Sequence, residues 1–473
     1  MSGKKIYWPV VFIISLQLII ILTLTGQHRF HGDEALYARW AQDMAKSSGI
    51  YVDSPYLLYK PPVYLFAAAL SYAIFPVREI FAVIPNCLAT VLSTLLVFMI
   101  TSKLYSDKIK GLTAAILFAL VPYIDLFAPT AFLDPLMVMF CLAAFLSVLE
   151  GRMLLAGIVF GLALGTKQFA VFYLPVYLLF YLVSGNKIRL KSFLGDFLLF
   201  LSGFTASFGV SVLWGILNSL HHHKPFYFAL NSWFGNQDRT EIYKLSFNSM
   251  YGRMGEWLVY YGNIFVRPWI SVLVLMFVTA SLALKRERPS ALLAASLLFL
   301  FLFTSISRMP IYDRYILTFL PLVLILCGAS ISSLINLKND RIKMYVIMAA
   351  VFVVMFSGPI HDMYKYRIKN LQKENFGAQY SRNDGLTQIT GVLLQDYGMP
   401  VCVAAHPDFS WVFDYYMFGS PEGYCWYNIE NLMKMDGGIA KNTGNRVNMM
   451  LFYSDNDRID DYRGLLKKKD LKL

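Results

Sequence analysis

Three stretches of this 473-residue chain place ionisable side chains next to long apolar runs. In FHGDEALYARW, residues 30–40, Asp33 and Glu34 stand side by side just after a nearly uncharged segment. In YLLYKPPVYLF, Lys60 precedes Pro61 and Pro62, which fix an extended entrance to a short helix. In APTAFLDPLMVMF, Asp134 stands at the end of an apolar helix with Pro135 in its first turn. Carboxylates accept protons or hold cations, an ammonium group holds anions, and an acid at membrane depth is expensive unless it is paired with a cation or used. The first pair also has a plain structural use. Leu36, Tyr37, Trp40, Ala41, Met44 and Ala45 recur at helical spacing, with Arg39, Gln42, Asp43 and Lys46 facing away, the pattern of a helix lying in the interface plane. On that pattern Asp33 is its N-cap and Glu34 favours its positive end.

The elements that must position these groups are membrane helices. The chain is 57% hydrophobic, 16% aromatic and 15% charged, with a mean hydropathy of +0.51, outside the range of an ordinary soluble domain. Apolar runs near residues 7–25, 79–102, 109–127, 132–149, 153–166, 169–184, 193–218, 269–284, 290–306, 315–335 and 344–357 give about eleven spans, three of them short. The first span has no small-residue cleavage site and is expected to be a retained helix, not a removed signal peptide. With the amino terminus in the cytoplasm, the short inner loops collect Lys4, Lys5, Lys103, Lys108, Lys110, Arg152, Lys187, Arg189, Lys191, Lys285, Arg286, Arg288, Lys338, Arg341 and Lys343. The positive-inside bias therefore explains the net charge of +12 without a nucleic-acid partner. The localisation expected is a plasma (inner) membrane, with the protein crossing it many times.

That orientation makes residues 26–78, 219–268 and 358–473 extracytoplasmic, and Asp33, Lys60 and Asp134 then converge on one outer surface. Residues 1–357 form the membrane domain, with 26–78 as its catalytic loop. Residues 358–473 read as a small α/β domain, because PVCVAAH and RVNMMLFY resemble buried strands and SRNDGLTQITGVLLQDYG has helical spacing. Cys87, Cys141 and Cys327 fall inside apolar spans as small hydrophobes. Cys402 and Cys425 are the two in the outer domain, and an oxidising compartment favours a disulfide between them, two buried thiols being the alternative.

DEALYARWAQDM, YKPPVYLFAAALSYAIF, TAFLDPL, GLALGTKQF and RYILTFLPL, in this order, resemble the polyprenyl-phosphate-dependent glycosyltransferases of the GT-C fold, over roughly residues 1–330. The lipid A aminoarabinose transferases and the dolichyl-phosphate-mannose protein mannosyltransferases are the most similar members. The resemblance implies a multi-pass helical GT-C domain that moves a sugar from a polyprenyl-phosphate carrier to a lipid, glycan or protein acceptor, among membrane lipids at the outer face. It implies that Lys60 contacts the carrier phosphate, with Lys167, Arg308 or Arg314, and Tyr315 as further phosphate ligands. Cations there stabilise the charge that grows on the phosphate as the glycosidic bond breaks. Asp33 matches the family's first acid, as the base for the acceptor hydroxyl or the holder of a metal that activates it. Asp134 matches the second acid and positions acceptor or sugar, while Glu34 supports Asp33. Attack opposite the phosphate inverts the anomeric centre.

One position departs from the aminoarabinose transferases: Tyr59 stands where they carry a metal-ligating glutamate, which puts a divalent metal ion there in doubt. The outer stretch LHHHKPFYFALNSWFGNQDR offers His221, His222 and His223, of which one could bind a metal, adjacent side chains rarely ligating one ion together; a plain polar loop is the alternative. Arg239 and Trp233, with Asn231, are candidates for the wall of the sugar cavity. Two rival functions share the architecture. A carrier-dependent polysaccharide polymerase or ligase uses the same donor chemistry, and a lipid-linked sugar transporter would show repeats and mid-membrane polar groups where this chain keeps its ionisable residues at one face.

Overall fold

The structure is a computed structural model and describes residues 7–25, 30, 32–46, 51–52, 60–184, 190–234, 250–262, 275–276, 278–279, 282, 287–306, 313–334, 401–405, 424–428 and 451–452. It divides into two units, one of Met1–Gln27 with Asp43–Tyr364 and one of His28–Gln42 with Lys365–Leu473. The first unit is helical: α1 (Tyr7–Thr25), α3 (Val63–Ile74), α4 (Glu79–Tyr105), α5 (Lys108–Leu120), α6 (Pro122–Phe127), α7 (Asp134–Leu149), α8 (Met153–Thr166), α9 (Leu174–Ser184), α10 (Leu190–His221), α11 (Phe228–Phe234), α12 (Met250–Gly262), α13 (Arg288–Ile306) and α14 (Leu320–Leu334). Helix α2 (Gly32–Lys46) begins in the second unit. Among the described residues α1, α4, α10 and α13 are long and apolar enough to cross a membrane, and α3, α7, α8 and α14 are shorter apolar helices. The protein is a multi-pass helical membrane protein.

Proline decides where several helices start. The expected span 109–127 is two helices, because Pro122 has no N–H to continue the ladder of α5 and takes the first position of α6 instead. Helices α7, α9 and α14 likewise carry Pro135, Pro175 and Pro321 in their first turns. Short 3-10 helices, Gln168–Tyr173 and Asp313–Thr318, precede the last two, where continuous spans were expected. The expected spans near 269–284 and 344–357 lie mostly or wholly outside the described residues.

The tightest helix pair is α8 against α10. A Cβ on Gly157 would lie 1.9 Å from Phe200 O, one on Gly161 2.0 Å from Ser207 Oγ, and one on Gly203 2.2 Å from Leu154 O. Small residues spaced by four let the two backbones touch, which is how helices associate where lipid offers no hydrophobic drive. Helix α1 is held by a buried polar chain. Gln17 Nε2 donates to Asp125 Oδ1 at 3.2 Å, and Thr94 Oγ1 donates to Gln17 Oε1 at 2.5 Å.

Helix α2 departs from its amphipathic pattern. It starts at Gly32, so Asp33 lies in the first turn and is not the N-cap. Gln42 and Asp43, expected to face away, are 1% and 4% exposed, and Glu34 is 0% exposed. Tertiary packing covers both faces of the helix, whatever its own periodicity prefers.

In the second unit, β1 (Val401–Ala405), β2 (Tyr424–Asn428) and β3 (Leu451–Phe452) form a parallel sheet in the order β2-β1-β3. Strand β1 falls within PVCVAAH and β3 within RVNMMLFY. The β1–β2 register sets Cys402 opposite Cys425. Neighbouring strands lie about 4.8 Å apart, inside the Cα separation of about 4.4–6.8 Å that a disulfide spans. A Cys402–Cys425 bond is the expected state of protein from an oxidising compartment. In denatured, unreduced protein, iodoacetamide should add to three cysteines by intact mass, and to five after reduction; five before reduction would exclude the bond.

Candidate active site

Asp134 owes its position to the loop before it. Helix α4 carries Asn86, whose Nδ2 donates to both Thr130 O and Phe132 O at 2.6 Å. Cys87 Sγ donates to Ala128 O at 3.7 Å, and Thr130 Oγ1 closes the turn onto Phe127 O at 2.6 Å. Residues 128–133 are thereby pinned to α4, and Asp134 opens α7 with its side chain 1% exposed.

Lys167 comes from the other side. It ends α8 in an extended conformation, φ −156° and ψ 137°, its N–H still donating to Ala163 O. Its ammonium Nζ lies 2.6 Å from Asp134 Oδ1, and its side chain is 4% exposed. The same ammonium stands 4.8 Å from the ring centre of Phe169 and 4.5 Å from that of Tyr315, two rings themselves 4.4 Å apart. Tyr315 is held there because Tyr173 OH donates to Thr318 O at 2.5 Å, tying the two 3-10 turns together. Next to it the Arg314 guanidinium lies 4.4 Å from the Phe132 ring centre and 5.8 Å from that of Tyr315. The acid thus finds the cation that its depth demands, and aromatic faces steady the cations on either side.

The fold therefore gathers Asp134, Lys167 and the adjacent Arg314 and Tyr315, which the sequence put on three separate segments. Lys167 was expected to hold phosphate; here its charge meets Asp134. Lys60 is 8% exposed and leads into α3 through Pro61 and Pro62. Val63 Cγ2 of α3 lies 2.9 Å from where a Cβ on Gly165 would stand, so the start of α3 packs beside the α8 end that carries Lys167. Trp233, 2% exposed, reaches the same end: its carbonyl accepts from Gln168 Nε2 at 2.8 Å. Asp33, half-buried, and Glu34 occupy the first turn of α2, in the second unit. Arg308 and Arg239 lie outside the described residues.

Two members of the triple histidine meet residues 51 and 52, while His221 and His223 remain exposed. The His222 Nε2 is 2.6 Å from Val52 O, the His221 ring stacks on Tyr51 at 4.3 Å, and His223 adopts φ +53°. Among the described residues no three His, Cys, Asp or Glu side chains converge as a metal centre would require. Sequence reasoning missed Asn86, Phe132 and Phe169. Asn86 had a signal, an amide inside an apolar span, where polar groups are rarely idle. The two phenylalanines had none, being lost among 37.

The helical membrane unit thus carries a buried acid–cation pair where the starts of α3 and α7 meet the end of α8, in the part of the chain that resembles the GT-C glycosyltransferases. Comparison with known proteins gives that class its members. Residues 59–214 match the family model described as dolichyl-phosphate-mannose-protein mannosyltransferase. In sequence the chain is 27% identical over 350 residues to undecaprenyl phosphate-alpha-4-amino-4-deoxy-L-arabinose arabinosyl transferase 2 of Pseudomonas fluorescens. The match takes in 70% of this chain and 57% of that one, so the chain spans little more than half of its curated relative. In structure it resembles ArnT from Cupriavidus metallidurans in the apo state, with a TM-score of 0.65 at 15% identity over 98% of this chain and 95% of that one. The same protein bound to undecaprenyl phosphate gives 0.62 at 16% identity, with the same coverage. The archaeal oligosaccharyltransferase AglB from Archaeoglobus fulgidus, in complex with an inhibitory peptide and a dolichol-phosphate, gives 0.53 at 13% identity over 88% and 64%. The resemblance to the GT-C polyprenyl-phosphate-dependent glycosyltransferases holds in sequence and in fold.

Removing one partner of a buried ion pair leaves an uncompensated charge, at about 3–5 kcal/mol. Lys167→Met and Asp134→Asn should each lower the melting temperature of the detergent-solubilised protein by several degrees. The double variant should fall by clearly less than the sum, since the two changes remove one interaction. Strict additivity would show that the pair is not a unit.

Proposed function

We propose that this protein is an integral inner-membrane glycosyltransferase that moves a sugar from a polyprenyl-phosphate carrier to a lipid, glycan or protein acceptor at the extracytoplasmic face, with inversion. The observation that carries the reading is the meeting of Asp134, Lys167, Arg314 and Tyr315 in one buried cluster, with the approach to Lys60 packed beside it, in a GT-C fold. The solved relative bound to undecaprenyl phosphate supports the carrier class. The membrane domain proposed has about eleven spans, the amino terminus in the cytoplasm and residues 358–473 as an outer α/β domain.

In this reaction Asp33, by its match to the family's first acid, accepts the proton of the acceptor hydroxyl as that oxygen attacks the anomeric carbon. The bond from that carbon to the phosphate oxygen breaks, and its electron pair leaves with the polyprenyl phosphate. Lys60 and Arg314 stabilise the added negative charge. Lys167 orients Asp134, and the oriented carboxylate accepts a hydrogen bond from a sugar or acceptor hydroxyl. A single displacement inverts the configuration without a covalent sugar–enzyme intermediate. Asp33 and Glu34 are the acids this chain would offer a divalent ion. No third ligand joins them among the described residues, and no step above passes through a metal.

Purified protein supplied with a set of polyprenyl-phosphate sugars should release polyprenyl phosphate. Asp33→Asn should lower kcat by roughly 10²–10⁴-fold through loss of the base. Lys60→Ala should raise KM by about 10–100-fold through loss of a charge-assisted contact. Unchanged turnover in both variants would reject the site. For orientation, Asn339→Cys in a Cys402→Ser/Cys425→Ser background should react with an impermeant maleimide only in broken membranes. Labelling in intact cells would invert the topology.

A further inference from the structure

The opposite end of the bundle holds a second place where cations meet hydrocarbon. Helix α4 runs 27 residues, about 40 Å, from the Asn86 end to Tyr105, and α7 runs in the same sense from Asp134 to Leu149. Where they finish, Lys103 and Arg288 line an open recess of about 260 Å³. Beside the two cations, Leu104, Leu149, Phe180, Val183 and Leu292 supply the apolar part of its wall. Acids stand nearby, and each already has its cation. Glu150 pairs with Arg152 at 3.2 Å, and Glu287 pairs with Lys110 while also accepting from Ser333 Oγ at 3.4 Å. Among the described residues, neither Lys103 nor Arg288 has a carboxylate within ion-pair distance.

Two cations with no carboxylate within ion-pair distance among the described residues, beside apolar side chains at the end of a membrane helix bundle, complement a molecule with an anionic head and a hydrocarbon tail. We infer that this recess binds an anionic phospholipid, its phosphodiester on Lys103 and Arg288 and an acyl chain along Leu104, Leu149, Phe180 and Val183. The wall distinguishes the lipid from a free phosphate, which would leave those side chains uncovered. The neighbouring recess, about 470 Å³, shares Lys103 and adds both Lys108 and Glu150. The site lies away from the Asp134–Lys167 pair and does not depend on the sugar-transfer reading.

Native mass spectrometry of the full chain in detergent, titrated with phosphatidylglycerol, phosphatidylethanolamine or inorganic phosphate, tests the site. The wild type and the control Lys224→Gln, at the other end of α10, should retain phosphatidylglycerol in preference to phosphatidylethanolamine. Lys103→Gln/Arg288→Gln should bind phosphatidylglycerol about 25-fold more weakly, from roughly fivefold per cation. Inorganic phosphate should not displace the lipid from the wild type. Equal phosphatidylglycerol binding by the double variant, or displacement by phosphate, overturns the inference. The wild type decides by itself if the double variant does not fold, because equal retention of the two lipids rejects the site.

Discussion

A carboxylate and an ammonium group 2.6 Å apart, both withdrawn from solvent, set the terms for one end of this bundle. Neither is tolerable there alone, because an isolated charge in a low-dielectric interior carries a desolvation penalty of several kcal/mol. Asp134 and Lys167 are 33 residues apart and stand on different helices, so the pair also fixes how the start of α7 meets the end of α8. Aromatic faces complete the arrangement. Phe169 and Tyr315 lie against the lysine and Phe132 lies under Arg314, which keeps the cations oriented without neutralising them.

The surrounding fold serves that meeting. Glycines on α8 bring α10 into backbone contact, which stiffens the helix whose last residues lead to Lys167. The amide of Asn86 holds two carbonyls of the loop that delivers Asp134, and a hydroxyl–carbonyl bond between the two 3-10 turns delivers Tyr315. Prolines in the first turns of α6, α7, α9 and α14 set where each helix may begin, and so which residue stands at its mouth. A sugar transfer at a membrane face needs this kind of rigidity. The leaving phosphate is anionic before and after reaction, so discrimination depends on placing charge within a fraction of an ångström.

Charge is arranged differently at the two ends of the helices. At the Asp134 end the described acid and base are buried and joined. At the Lys103 end Glu150 and Glu287 are paired off, and among the described residues Lys103 and Arg288 have no carboxylate within ion-pair distance, beside a recess lined in part by apolar side chains. Positive-inside bias would account for basic residues gathering on one side of a membrane, but not for the carboxylates nearby pairing with other cations. Burial at the first end makes each charge decisive, whereas exposure at the second leaves charge free to meet a ligand from the bilayer.

Much of this was legible before any coordinates. Apolar runs and few charges sufficed for a helical membrane protein, because hydrocarbon admits little else, and Lys60-Pro61-Pro62 and Leu133-Asp134-Pro135 stood out because such residues are rare at those depths. Proline chemistry even indicated that α7 would begin at Asp134. Which cation answers that acid was not legible. Lys167, Arg308 and Arg314 were equivalent outer-face bases until packing carried Lys167 to the carboxylate and Arg314 onto a phenylalanine. The same limit applied to α2, whose amphipathic spacing described a surface helix while its polar residues Gln42 and Asp43 are buried. Local spacing specifies what a segment can form and which groups it exposes to a partner; only the three-dimensional packing chooses the partner, since ion pairing and burial depend on distances that no single segment contains.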